Sequence, residues 1–76
     1  MLEMIRFNHK QFRYRAETSE YGIIYNLRYG NLYIVNGKTK SLVENLIVQG
    51  SSHVNTDNKA IAFLIKNKVF LKKEYI

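Results

Sequence analysis

The sequence predicts an α+β domain, with an N-terminal three-stranded antiparallel β-sheet followed by two or three short α-helices. Three observations carry this. Residues 12–16 and 23–27 alternate with the period of two of half-buried strands. Arg28-Tyr29-Gly30-Asn31 supplies a turn between two β-rich runs, with Gly30 free to take a positive φ. Beyond residue 36 the period changes: Leu42, Val43, Leu46 and Ile47 fall at helical spacing, and Gly50 sits where a C-terminal glycine cap belongs.

Met1 to Gln11 shows weak patterning and reads either as a loose arm or as an extra edge strand. Phe12, Tyr14 and Ala16 alternate with Arg13 and Arg15, a first strand with basic residues on its open face. Glu17-Thr18-Ser19-Glu20 is a polar connection. Ile23, Tyr25 and Leu27 alternate with Ile24 and Asn26, and Leu32 to Val35 form the next strand. Only one of the pairs Leu32/Ile34 and Tyr33/Val35 can face the core, and the pattern does not choose. A helix follows, starting at Asn36 or at Ser41 through a Ser41-x-x-Glu44 capping box. Asn36-Gly37 could instead turn into a strand through residues 46–48; the single apolar face and Gly50 favour the helix.

Ser51 to Asn55 leaves room for about one helical turn at ~3.6 residues per turn. The last helix takes Thr56 or Asp57 as N-cap, and Asp57 suits the positive end of the helix dipole. Ile61, Leu64 and Ile65, joined by Lys68, form its core-facing stripe. Ala60, Phe63 and Asn67 form a neighbouring stripe flanked by Lys59 and Lys66. An aromatic beside a small residue with lysines at the margin suits a shallow groove. The plainer alternative is that Phe63 widens the core face.

Composition bounds the rest. A chain of 76 residues is read as one domain over 1–76, small enough to bury a reduced fraction of its surface. It has no cysteine, hence no disulfide or thiolate metal site, and no proline. A hydrophobic fraction of 46% argues for a folded core. The opening MLEMIRFNHK lacks the apolar stretch of a signal peptide, and no apolar run approaches the ~18 residues of a spanning helix. A cytoplasmic protein without membrane attachment is the expectation. The net charge of +6 is scattered, with no run of like charges. It fits a solvated surface or attraction to an anionic partner, nucleic acid or acidic peptide.

No catalytic constellation stands out. His53 lies near Ser51, Ser52 and Asp57, but triads are recognised by geometry and not by proximity in sequence. His9 and His53 are isolated, without zinc-ligand spacing, and no phosphate-binding or dinucleotide motif is present. A non-catalytic protein without metal or cofactor is expected.

The pattern Gly22-Ile23-Ile24-Tyr25, the turn Tyr29-Gly30-Asn31, the strand Leu32-Tyr33-Ile34-Val35-Asn36 and the helix Ser41 to Gly50 together resemble the PqqD-like family. These are the recognition elements that bind leader peptides in ribosomal peptide natural-product (RiPP) pathways. Ala60 to Lys66 looks like the family's last helix and Val69-Phe70-Leu71 like its apolar finish, so the resemblance spans residues 12–71. Its departure is the short segment 51–55, where the family has a full middle helix; here that helix is missing, vestigial or replaced by a loop. The resemblance implies a winged-helix-like fold and a non-catalytic adaptor. The leader adds as a strand along Asn31, Leu32, Tyr33, Ile34, Val35 and Asn36, opposite Lys59, Ala60, Phe63, Lys66 and Asn67. Implied partners are a precursor peptide and a modifying enzyme such as a radical-SAM maturase, cyclodehydratase, dehydratase or leader peptidase. A chain of this length resembles the discrete form of the element.

The rival class is a small winged-helix-like nucleic-acid-binding protein. Tyr14, Tyr21, Tyr25, Tyr29 and Tyr33 among basic residues could stack on bases. A helix-turn-helix needs two adjacent helices, and the compressed segment before Thr56 leaves little room for the first. A third reading is a structural subunit, a homodimer through its sheet edge.

Overall fold

Eight elements follow one another in residues 2–73, the part of the chain that the computed structural model describes. They are β1 (Leu2–Phe7), β2 (Phe12–Ala16), β3 (Tyr21–Asn26), β4 (Leu32–Asn36), α1 (Gly37–Gln49), β5 (Ser52–Asn55), α2 (Lys59–Lys66) and β6 (Phe70–Lys72). The strands form two antiparallel sheets of three, in the orders β2-β3-β4 and β5-β1-β6. The architecture is α+β, with one sheet more than the sequence predicts.

The first sheet follows the expected alternation. Phe12, Ile24 and Val35 are buried, while Arg13 and Arg15 lie exposed on the opposite face. Tyr33 and Val35 turn inward, and Leu32 and Ile34 turn out, 55% and 73% exposed. Gly22 is required by a close approach. It lies beneath the ring and hydroxyl of Tyr14, so a Cβ there would overlap them. The Tyr14 hydroxyl runs on to α1 and donates a 2.6 Å hydrogen bond to Glu44 Oε2.

The helix α1 starts at the earlier of the two expected positions. Asn36 is its N-cap, extended at φ −138° and ψ 176°, and Ser41 lies inside the helix. Glu44 therefore does not close a capping box; it accepts from Lys40 Nζ at 2.9 Å and from Tyr14. Gly50, at φ 89°, ends the helix, its N–H donating to the Leu46 carbonyl at 2.8 Å. Val43 and Leu46 are wholly buried, Leu42 is half-buried, and Ile47 reaches the surface.

Three expectations are corrected. Residues 2–7 are neither a loose arm nor an edge: β1 is the central strand of the second sheet, paired with β5 and β6 (Met1 lies outside the described residues). Ile5 and Phe7 on β1 are core residues. The middle helix is missing, as one of the expected alternatives had it, but residues 52–55 are not a loop either: they pair with β1 as β5 and bury Val54. Asn58, not Thr56 or Asp57, caps α2. Its Oδ1 accepts from the N–H groups of Ala60 and Ile61 at 2.9 and 3.2 Å, because Asn55 Oδ1 takes the Asp57 N–H in a preceding turn.

Lys68 also departs from its expected role. It lies exposed beyond the end of α2, in the left-handed region at φ 66°. Its N–H donates to the Ile65 carbonyl and the Val69 N–H to the Leu64 carbonyl, at 3.1 and 2.9 Å. This is a Schellman closure with lysine where glycine is usual. Asn8, buried in the β1–β2 turn, fixes it. The Asn8 amide nitrogen donates to the Lys68 carbonyl and its backbone N–H to the Val69 carbonyl, both at 2.9 Å. One core joins the sheets, with Ile5, Phe7 and Phe70 meeting Phe12, Ile24, Val43 and Leu46.

Candidate functional site

The strand β4 is an edge strand of its sheet. Asn26 and Asn31 are opposite each other in the β3–β4 hairpin, and the Asn26 N–H donates to the Asn31 carbonyl at 2.9 Å. Hydrogen-bonded pairs alternate in an antiparallel ladder, so Ile24/Tyr33 and Gly22/Val35 are the next bonded pairs. The backbone N–H and C=O groups of Leu32 and Ile34 consequently point away from β3, along the outer edge. No strand among the described residues pairs with that edge.

The helix α2 stands beside it. Between them runs a groove of about 390 Å³ bordered by Leu32 to Asn36 on one side and Ala60, Phe63 and Leu64 on the other, with Thr39 of α1 at one end. None of these residues is charged. Phe63 is 52% exposed and meets Tyr33 edge to face, ring centroids 5.9 Å apart. Tyr33 in turn packs against the buried Phe12 at 6.2 Å. Phe63 is thus held by one aromatic neighbour on the groove side, while Leu64, next in sequence, is buried. Ile61 and Ile65 share the core side of α2 with it.

On the far side of Tyr33, the one lining residue the two share, a second hollow lies toward the C-terminal end of α2. This second part, about 620 Å³, is bordered by Tyr33, Asn31, Arg28, Lys66, Asn67 and Lys68, among others. The Asn67 amide is turned back on its own helix, donating to the Phe63 carbonyl at 2.8 Å. The Arg28 guanidinium sits 5.3 Å over the Tyr29 ring. The buried Asn26 shapes this end, its Oδ1 accepting from the N–H groups of Arg28 and Tyr29. A larger open hollow of about 860 Å³ lies at the N-terminus of α1, among Ser19, Glu20, Lys38, Lys40, Ser41 and Leu42, and shares only Asn36 with the groove.

The fold therefore brings together Leu32, Tyr33, Ile34, Val35, Asn36, Ala60 and Phe63 in the apolar part, and Asn31, Tyr33, Lys66 and Asn67 in the polar part. Lys59 stands apart, exposed at the first position of α2 and lining neither hollow. Sequence reasoning missed Thr39, Leu64, Arg28 and Lys68 as lining residues. Arg28 could have been found from its place beside Asn31 in the turn; Lys68 depends on a left-handed residue that no pattern marks.

The carboxylates lie elsewhere. Glu3 pairs with Lys72 at 3.2 Å, Glu17 with Arg15, and Glu44 with Lys40. The hydrogen bond from Lys40, then that from Tyr14, holds the Glu44 carboxyl below the usual carboxylate range. Burial, then Glu44, pushes the Tyr14 hydroxyl above the usual tyrosine range. Arg28, Lys66 and Lys68 have no carboxylate within salt-bridge distance among the described residues. His53 is exposed on β5 opposite Met4, and His9 meets Phe7 edge to face at 5.0 Å. Among the described residues, no group of three His, Cys, Asp or Glu could hold a metal ion, and no helix is long and apolar enough to cross a membrane.

Comparison with protein-family models, with curated proteins and with solved structures finds no match to this chain.

Proposed function

We propose that this protein is a non-catalytic adaptor that captures an extended peptide as an added strand on β4. The observation that carries the reading is the open edge at Leu32 and Ile34, facing an uncharged groove walled by exposed Phe63. Main-chain hydrogen bonds to that edge hold a strand, and the groove selects its inward side chains. The resemblance to the PqqD-like family names the peptide as the leader of a ribosomally made precursor. The adaptor then raises the local concentration of the precursor at a modifying enzyme. In this reading β3–β4 and α2 form the winged-helix-like part of the domain. β5 stands where the family carries its middle helix.

The test is NMR titration of the labelled protein with candidate leader peptides and, in parallel, with short DNA and RNA. Shifts concentrated at residues 31–36 and 60–67 with a peptide support the adaptor. Shifts with nucleic acid over Arg13, Arg15, Tyr25 and Tyr29 favour the nucleic-acid-binding alternative instead.

A further inference from the structure

We infer that the groove ends in a carboxylate subsite, formed by Arg28, Lys66 and Lys68 beyond Tyr33, and that it selects strands carrying an acidic side chain at an even spacing from an apolar one. The inference rests on the strand-addition reading above and specifies the peptide.

The two parts of the groove differ in chemistry. The part beside Ala60 and Phe63 is lined by no charged residue, whereas the part beyond Tyr33 gathers three cations and no carboxylate. None of those cations is neutralised by an ion pair among the described residues. Asn31 and Asn67 line the same hollow; the Asn31 amide adds a donor suited to a carboxylate oxygen, while that of Asn67 is engaged with the Phe63 carbonyl. A bound strand that places an apolar side chain on Phe63 therefore leads, further along β4, into a site of opposite charge to an aspartate or glutamate.

Lys68 supplies a second, independent observation. It occupies a left-handed position that favours glycine, and the buried Asn8 side chain holds its carbonyl there. A residue kept in a costly conformation beside a ligand groove is the kind of strain that function retains. Glycine would close α2 equally well but would leave the subsite one charge short.

Strand geometry fixes the spacing. Tyr33 and Val35 share one face of β4, the face toward α2, as Tyr33 shows by its contact with Phe63, and Asn31, just before the strand, continues their alternation. Residues of an added strand opposite these three point to the same side, whichever way the strand runs. An apolar residue opposite Tyr33 or Val35 thus places the acid opposite Asn31 two or four residues away. An odd spacing turns the carboxylate to the outer face of the sheet, beside Leu32 and Ile34.

The experiment uses C-terminally amidated peptides of eight residues, Ser/Thr-rich, each with one Leu and one Asp placed two, three or four residues apart on either side. Binding is followed by NMR shifts and by fluorescence anisotropy. Even spacings should bind roughly fivefold tighter than odd ones, a preference that fades in high salt. Lys68→Gly, which keeps the helix closure, should abolish the preference, as should Lys66→Gln, while shifts at Phe63 persist. Binding that ignores the Asp position overturns the subsite and leaves strand addition standing. A gain only when the amide is replaced by a free C-terminal carboxylate assigns the cations to a chain end and also overturns it. Failure of every peptide to bind overturns strand addition and the subsite with it.

Discussion

The two edges of the sheet β2-β3-β4 are built in opposite ways. β2 carries Arg13 and Arg15 at its exposed positions, Arg15 paired with Glu17 and lying 5.4 Å over the Tyr25 ring. Charge on an edge strand is a standard defence against unwanted pairing. β4, reading LYIVN, carries no charge and no proline, exposes Leu32 and Ile34, and is shadowed on one side by α2. One sheet thus protects one edge and leaves the other available. The difference teaches that the openness of β4 is a local property, since both edges share a central strand and a core.

The largest expected effect comes from closing the open edge. Ile34→Pro removes an outward N–H that serves no bond within the sheet, so the protein should stay folded while peptide binding falls below detection. Retained binding, by titration of a confirmed ligand, would show that β4 is not the receiving strand. Phe63→Asp should weaken binding at least about tenfold with little change in thermal stability, because the residue is already half exposed. Loss of the folded spectrum would instead make Phe63 a core residue.

The protected side is probed by Gly22→Ala, which forces Tyr14 off the glycine and away from Glu44. A cost of about 1–3 kcal/mol is expected in urea unfolding, the range for overfilled packing. Lys68→Gly should act the other way, stabilising by about 1 kcal/mol through relief of the left-handed backbone. The smallest effects are pH-dependent. The carboxyl of Glu44 is held low when folded, so its contribution is present above the ordinary carboxylate range and is lost on acidification through its folded value. Tyr14 is shifted up, so its contribution is present below the ordinary tyrosine range near pH 10 and is lost as pH rises through the folded value. Glu44→Gln should flatten the acid limb of stability against pH, and Tyr14→Phe the alkaline limb.

Local pattern carried the hairpin, α1 and α2 into view, because each is specified by neighbours in sequence: Gly30 in the turn, Val43 and Leu46 one turn apart, Gly50 at the cap. The second sheet was not legible for the opposite reason. LEMIRF alternates only weakly, and its partners lie around residues 52–55 and 70–72. SHVN contains one apolar residue, Val54, and becomes a strand only because β1 is there to pair with it. Residues 31–36 and the stripe Ala60/Phe63, picked out by resemblance and helical spacing, border the two hollows. Which face of β4 turns inward was not legible, since both faces of Leu32-Tyr33-Ile34-Val35 are apolar. Asn58 lost its cap to Thr56 and Asp57 in prediction because all three residue types suit the role, and the turn bond from Asp57 to Asn55 decides among them.

The position of β1 has a consequence for how the chain acquires its shape. The first strand of this sequence is the centre of a sheet whose edges come from its last third, Leu2 opposite Asn55 and Phe7 opposite Phe70. Closing loops of that length is slow compared with zipping the adjacent hairpins of β2-β3-β4. On refolding, the β2-β3-β4 sheet is expected to form while Ile5 and Phe7 are still unburied, with the domain locking in a late step when α2 and β6 dock. Hydrogen exchange on refolding protein should register that order, with protection at Ile24 and Tyr33 preceding protection at Ile5.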